Sequence, residues 1–183
     1  KAAAEVLEEL LRIDPRNQLA RFEQYLLRPD ASGLDSFQSL IRNELPNETY
    51  LEMAIQYAGL RLNDDAIKVL ERAPENPINY YWLGWLTKDN PANTGDAYLK
   101  KATALSPYLV FPSRLETIPV LEWAAQKENS WKAAYYLALA SWNNKDIPKA
   151  KQLFKQCGDR PDYAPFYIAR GILFSDEKNE QPA

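Results

Sequence analysis

Few side chains in this sequence could perform chemistry, and they stand apart from one another. The chain has no histidine and a single cysteine, Cys157. A nucleophilic cysteine needs a neighbouring base or cation to form its thiolate, and histidine is the commonest general base and metal ligand. One cysteine also excludes an internal disulfide and a multi-cysteine metal site. We therefore predict that Cys157 is a core thiol and that the chain is not an enzyme, with no catalytic residue, metal or cofactor assigned.

The other chemically suggestive groups are two acidic pairs and one mixed pair. Asp64-Asp65 and Asp176-Glu177 are predicted to lie in turns, where carboxylates cap helix N-termini. Arg114 and Glu116 are two residues apart, so on a helix they do not face each other. The six glycines form no phosphate-binding motif and the serines no nucleophile elbow. These residues predict helix boundaries rather than a catalytic site.

The amino-acid composition argues against two classes of binding partner, nucleic acid and membrane. The chain has 183 residues, with 22 Lys and Arg against 25 Asp and Glu. It therefore lacks the basic surface that nucleic acid binding requires. No window approaches the roughly 18 consecutive apolar residues of a membrane span. We expect a soluble chain, with the cytoplasm favoured, that binds neither nucleic acid nor membrane.

The elements that carry these residues are predicted to be helices throughout. Apolar periodicity and turn residues indicate about eleven of them and no strand. Their predicted bounds are 2–12, 17–27, 34–45, 48–61, 63–73, 77–87, 94–105, 113–127, 130–143, 147–157 and 163–174.

Three segments share one pattern of residue sizes over two successive helices. The first helix of each segment combines large residues with a small one, and the second helix carries a small residue followed by a large one. A proline then follows the second helix. A small residue at the helix contact lets the two backbones approach closely. The three sets are Tyr50, Met53, Ala54, Tyr57, Ala66, Leu70 and Ala73; Tyr80, Leu83, Gly84, Thr87, Gly95 and Leu99; and Ala134, Leu137, Ala138, Ser141, Ala150, Phe154 and Cys157.

These residues resemble the tetratricopeptide repeat (TPR) family over most of the chain. The resemblance implies a right-handed α-solenoid of antiparallel helix pairs, forming a single array over residues 1–183. The stretch LSPYLVFPSRLETIPVLEWA and the segments after Ser130 also resemble the TPR portion of large bacterial proteins of uncharacterised function, in which a β-rich module precedes the array. Both resemblances imply a scaffold segment.

The spacing of the repeats predicts one inserted helix at about 108–127. Gly95 and Ala150 occupy equivalent positions but lie 55 residues apart, about 21 more than the 34-residue repeat. Pro112 suits a first helical turn, whereas Pro119 is expected to kink or break the helix near Ile118. We interpret this stretch as a joint of the array rather than an active site.

The two ends match incomplete repeats, so the chain is expected to be part of a longer array. Ala3, Leu7 and Leu10 match a second helix, and Tyr167, Gly171 and Phe174 match a first helix. The final helix should therefore expose an apolar face made by Tyr163, Phe166, Tyr167 and Phe174. End-to-end self-association is expected unless the SDEKNEQPA tail shields that face.

In a TPR array the non-consensus positions of the first helices line a concave groove. That register gives eight candidate residues for binding a protein or peptide: Tyr81, Trp82, Trp85, Lys88, Lys132, Tyr135, Leu139 and Trp142. Aromatic side chains suit peptide contacts, and the two lysines would favour acidic groups in the ligand. The alternative for each aromatic is that it packs in the core between helices.

The function that this sequence predicts is a non-catalytic interaction scaffold for a protein or peptide. Two alternatives remain at this point. One is a structural spacer or self-assembly segment, and the other is an accessory region of a carbohydrate-active or other multidomain protein.

Overall fold

The computed structural model describes residues 2–91, 94–127 and 130–175. These residues form eleven α-helices and no strand, which confirms the all-α prediction. The chain divides into two compact units, Lys1–Glu75 and Asn76–Ala183. Each unit is described by itself.

The first unit contains five helices, and side-chain caps define two of their starts. Asn17 Oδ1 accepts a hydrogen bond from Ala20 N, and Asp30 Oδ1 accepts one from Gly33 N, so each side chain satisfies a backbone donor that the helix leaves unpaired. Helix α2 packs against α1 and α3, and α4 packs against α5. The helices are α1 (Ala2–Ile13), α2 (Gln18–Leu27), α3 (Ala31–Gln38), α4 (Pro46–Gly59) and α5 (Asn63–Leu70).

An aromatic cluster forms the core of the first unit. The ring of Phe22 lies 5.1 Å from that of Phe37 and 6.2 Å from that of Tyr57, and Phe37 contacts Tyr50 edge-on. Tyr57 donates a 2.6 Å hydrogen bond to Glu23. The rings therefore join α2, α3 and α4, and the phenol fixes one partly buried carboxylate.

The second unit contains six helices. Helix α6 packs against α7 and α8, α9 packs against α8 and α10, and α11 packs against α10. Helix α8 therefore lies against both α6 and α9. The helices are α6 (Pro77–Leu86), α7 (Thr94–Ala104), α8 (Thr117–Lys127), α9 (Trp131–Asn143), α10 (Ile147–Cys157) and α11 (Ala164–Ser175).

The predicted small-residue contact between α6 and α7 is confirmed. A Cβ atom added at Gly84 would lie 3.2 Å from Gly95 O, and one added at Gly95 would lie 3.0 Å from Gly84 O. Cβ atoms rarely come this close to another heavy atom, so a side chain at either position would force the facing backbone to shift by a few tenths of an ångström. Most of the other repeat positions are buried as the pattern predicts; Tyr80 and Ala73 are half-buried.

Two helices differ most from their predicted bounds. Helix α3 runs from 31 to 38 rather than 34 to 45, and the Asp30 cap accounts for its early start. Helix α8 begins at Thr117 rather than at 113. Pro119 therefore sits in the first turn, where its missing N–H costs no hydrogen bond, and the expected break near Ile118 is the start of the helix.

Some local predictions were wrong or cannot be placed. Helix α5 begins at Asn63 after Leu62, which makes no side-chain cap, so Asp64 and Asp65 lie in the first turn instead of capping it. Asp65 pairs with Lys68 at 2.8 Å. The pair Asp176-Glu177 and the tail beyond Ser175 lie outside the described residues.

Candidate functional site

Three of the eight predicted groove residues lie in the core. Tyr81 is 0 %, Trp82 3 % and Tyr135 4 % exposed. Trp82 Nε1 donates a 3.1 Å hydrogen bond to Thr117 Oγ1 at the start of α8, and the ring of Tyr135 contacts Phe166 of α11 at 5.5 Å. These three side chains are therefore core residues: α8 covers Trp82, Tyr136 of α9 packs against Tyr81, and α11 covers Tyr135.

Lys132 is also occupied within the fold. Its Nζ donates to the carbonyl oxygens of Thr103 and Leu105 at 2.6 and 2.5 Å. These carbonyls lie at the C-terminal end of α7, where a helix leaves acceptors unpaired and where its dipole attracts a cation. Lys132 thus donates hydrogen bonds to unpaired carbonyl groups at the end of α7. This structural role explains the lysine at this position, and no ligand is needed to explain it.

Four predicted residues remain at the surface in two separate places. Trp85 of α6 is half-buried, and the exposed Lys88 just beyond that helix places its Nζ 4.1 Å from the centre of the Trp85 ring. On α9, Leu139 and Trp142 are half-buried and line one pocket together. Trp142 also contacts the buried ring of Phe154 edge-on, so that the core fixes its indole while part of it stays accessible.

The pocket beside Trp142 is completed by the loop of residues 105–116, which connects α7 to α8. Its volume is about 360 Å³, near the lower end of the range of ligand-binding clefts. The lining is mainly apolar, and Asn143 and Ser113 add polar groups. We call it the loop pocket; the described residues that line it are Phe111, Pro112, Ser113, Leu139, Trp142 and Asn143.

The α7–α8 loop exposes an unusual amount of apolar surface. Tyr108 is 67 %, Leu109 54 %, Phe111 67 % and Leu115 63 % exposed, whereas Val110 between them is 6 % exposed. Four large apolar side chains are thus exposed within eight residues of one loop, and a concentration of exposed apolar surface marks interaction sites.

Side-chain hydrogen bonds hold this loop in place along its length. Tyr163 Oη donates to Pro107 O at 3.3 Å. Asn143 Nδ2 donates to Ser113 O at 3.1 Å, and Asn144 Nδ2 lies 3.5 Å from the same oxygen. With Val110 buried between these points, the loop is attached to α9 and to the segment before α11.

The backbone of Leu109 adopts a left-handed conformation, with φ of 56°. A bulky residue rarely adopts this region, and doing so costs on the order of 1 to 3 kcal/mol. The side chain of Leu109 is mostly exposed, so its own burial does not offset that cost. Backbone strain of this kind is concentrated at functional sites.

Cys157 is a core thiol, as predicted. The side chain is fully buried on α10, its Sγ lies 3.5 Å from Trp131 O, and burial raises its pKa to about 11.

Within the described residues, no three acidic or cysteine side chains group closely enough to hold a metal ion. None of the described helices is both long and apolar enough to span a bilayer.

The exposed face of the final helix agrees with the prediction only in part. Tyr167 is 38 % exposed and Tyr163 and Phe174 are half-buried, but Phe166 is fully buried. Ile168 and Ile172, which the prediction did not include, are 62 % and 53 % exposed. Phe166 is core because it packs on Phe154 and Tyr135.

The structure thus brings Leu139 and Trp142 together with loop residues that repeat positions alone did not select. The sequence did carry a signal for them, namely Tyr, Leu and Phe in a proline-containing segment outside the repeat pattern.

Comparison with known proteins adds no assignment, since no family model, no curated protein and no solved structure matches this chain significantly.

Proposed function

We propose that this chain is a non-catalytic scaffold that binds a protein or peptide. The observation that carries the proposal is the α7–α8 loop, which exposes Tyr108, Leu109, Phe111 and Leu115 beside the loop pocket. Exposed apolar surface is unfavourable for an isolated chain, and a contiguous patch of it is a common mark of a binding surface.

Binding is favoured over catalysis by the chemistry of the available side chains. The chain has no histidine, and its one thiol is buried with a raised pKa, the opposite of what a nucleophile needs. The loop pocket itself is lined by no acidic or basic side chain among the described residues. Such a pocket is suited to hold an apolar group rather than to transfer a proton.

The proposal includes a TPR-like solenoid as the architecture. Its support is the burial of most repeat positions in the packed pairs α4 with α5, α6 with α7 and α9 with α10, and the backbone contact at Gly84 and Gly95. In a solenoid of this type, an inserted helix and its loop would interrupt the regular surface and present a distinct binding feature.

Selection from a random-peptide library displayed on phage tests the function directly. Peptides enriched on the immobilised chain are synthesised, labelled with a fluorophore and titrated with the chain in solution. We expect saturable binding in the micromolar range or tighter, which disappears when the chain is unfolded in urea. The absence of any enriched peptide that binds the folded chain in solution would contradict the proposed function.

A self-assembly role is the second candidate, because Ile168 and Ile172 expose one apolar face of α11. Sedimentation equilibrium distinguishes the two roles. Self-assembly predicts a concentration-dependent mass that Ile168→Ser lowers to that of the monomer, whereas the scaffold proposal predicts a monomer with or without this substitution.

A further inference from the structure

We infer that the α7–α8 loop and the loop pocket bind a short, uncharged peptide segment of another protein through at least two bulky apolar side chains. This inference rests on the proposed function and specifies its site and ligand class. One apolar side chain of the peptide enters the pocket between Phe111 and Trp142, and another packs on Tyr108 and Leu109.

The size of the apolar patch selects a peptide rather than a second copy of the chain. Large side chains each bury roughly 150 to 250 Å², so the exposed fractions of Tyr108, Leu109, Phe111 and Leu115 amount to on the order of 500 Å². A stable dimer buries about 800 Å² per partner. Residues 108–115 span at most about 28 Å, which matches a peptide of a few residues.

The chemistry of the pocket selects apolar groups in that peptide. Phe111, Pro112, Leu139 and Trp142 supply most of the lining, and the amide of Asn143 donates to Ser113 O. With no charged side chain among the described lining residues, an ion in the ligand would lose hydration without gaining a partner. We therefore expect the affinity to depend little on salt concentration.

The loop is already held in a binding conformation, which lowers the entropy cost of association. Tyr163 and Asn143 attach its two halves by hydrogen bonds, and Phe154 fixes the ring of Trp142. Ordering a mobile loop on binding would otherwise weaken the complex. Tyr163 and Asn143 are accordingly positioning residues that need not touch the peptide.

Leu109 gives independent support for a ligand at this loop. Its left-handed backbone and its exposed side chain both lower the stability of the free chain. Asparagine tolerates this conformation far better than leucine. Arg61 and Lys145 share this backbone conformation, but Leu109 combines it with a large exposed apolar side chain, and contact with a partner would account for both.

The experiment uses peptides selected on the full chain and measures their affinity for three variants. Phe111→Ser and Leu109→Asn change exposed loop residues, and Ile168→Ser changes an equally exposed apolar residue on α11 as the matched control. We expect Phe111→Ser and Leu109→Asn to weaken binding by about tenfold or more, with Ile168→Ser unchanged. Leu109→Asn should also raise the Tm, so stability and affinity move in opposite directions.

Other outcomes separate failure of this inference from failure of the proposed function. If the selected peptides bind all three variants as tightly as the unaltered chain, the loop site is wrong although the binding function stands. If the enriched peptides are highly charged and their affinity falls steeply with salt, the ligand class is wrong. If Phe111→Ser abolishes a dimer seen by sedimentation, a second copy occupies the loop and the inference is overturned. If no peptide is enriched, both proposals fail.

Discussion

Replacing Gly84 by leucine tests the closest helix contact in the second unit. A Cβ atom at this position would lie 3.2 Å from Gly95 O and 3.4 Å from two ring atoms of Trp123. Either the backbone of α7 or the indole must move before the rest of the leucine side chain can be accommodated. Gly171, in the interior of α11, is the matched control because a Cβ atom there meets no atom within 4 Å.

The difference between the two variants isolates the cost of overpacking. Leucine gains up to roughly 1 kcal/mol over glycine in helix propensity at both sites, so this term cancels in the comparison. Overpacking costs about 1 to 3 kcal/mol and applies only at Gly84. We expect Gly171→Leu to keep or raise the free energy of unfolding, and Gly84→Leu to lie about 1 to 3 kcal/mol below it.

Circular dichroism during urea and thermal unfolding provides the assay. For a chain of this size, 1 kcal/mol corresponds to roughly 2 to 4 °C in Tm. Equal unfolding free energies for Gly84→Leu and Gly171→Leu would refute the contact between α6 and α7 and the repeat register built on it.

Three further predictions concern hydrogen bonds and pH. Lys132→Met should lower the unfolding free energy by about 1.5 to 3 kcal/mol by removing the charged donor to Thr103 O, while peptide affinity measured on the folded variant stays unchanged. Tyr57→Phe should lower it by about 1 to 3 kcal/mol in urea titrations, because Glu23 loses a partly buried donor. Burial raises the pKa of Cys157 from 9.0 to about 11. The stability that the protonated thiol contributes is therefore complete below pH 9 and is lost as pH rises towards 11. Cys157→Ala should flatten the plot of unfolding free energy against pH in this range, and an unchanged plot would contradict the buried thiol.

Helix content and close contacts were predictable because they depend on local patterns. The glycine at the α6–α7 contact is identified by the repeat of large and small residues, and the structure places Gly84 against Gly95 as that pattern requires. Cys157 follows from the same pattern, since it occupies a small-residue position on a second helix and is buried.

Surface and core positions on α6 were harder to predict, because periodicity does not tell which neighbour covers a face. Helix α6 is apolar on nearly all sides, and Tyr81 and Trp82 fit a groove or a core equally well from sequence alone. Helix α8 decides for Trp82, since Thr117 at its start accepts the hydrogen bond of the indole, and Tyr136 of α9 packs against Tyr81. These tertiary contacts have no local signature.

The start of α8 differs from the prediction for a related reason. Repeat spacing and a proline suited to a first helical turn at Pro112 predict a helix over 113–127. In the structure the helix begins at Thr117, and hydrogen bonds from Tyr163 and Asn143 fix the loop instead. Such long-range side-chain contacts depend on the packed positions of α9 and α11.

The indole N–H signals of the tryptophans test the central claim most directly. Trp142 lines the loop pocket and Trp85 is half-buried on α6 beside Lys88, so the two report on the two surfaces that retain predicted binding residues. Two-dimensional ¹⁵N–¹H spectra, with the signals assigned by single substitutions, are recorded while a selected peptide is added to the full chain. We predict that the Trp142 signal shifts in proportion to peptide bound and that the Trp85 signal does not move. A shift of Trp85 with an unchanged Trp142 signal would contradict the account.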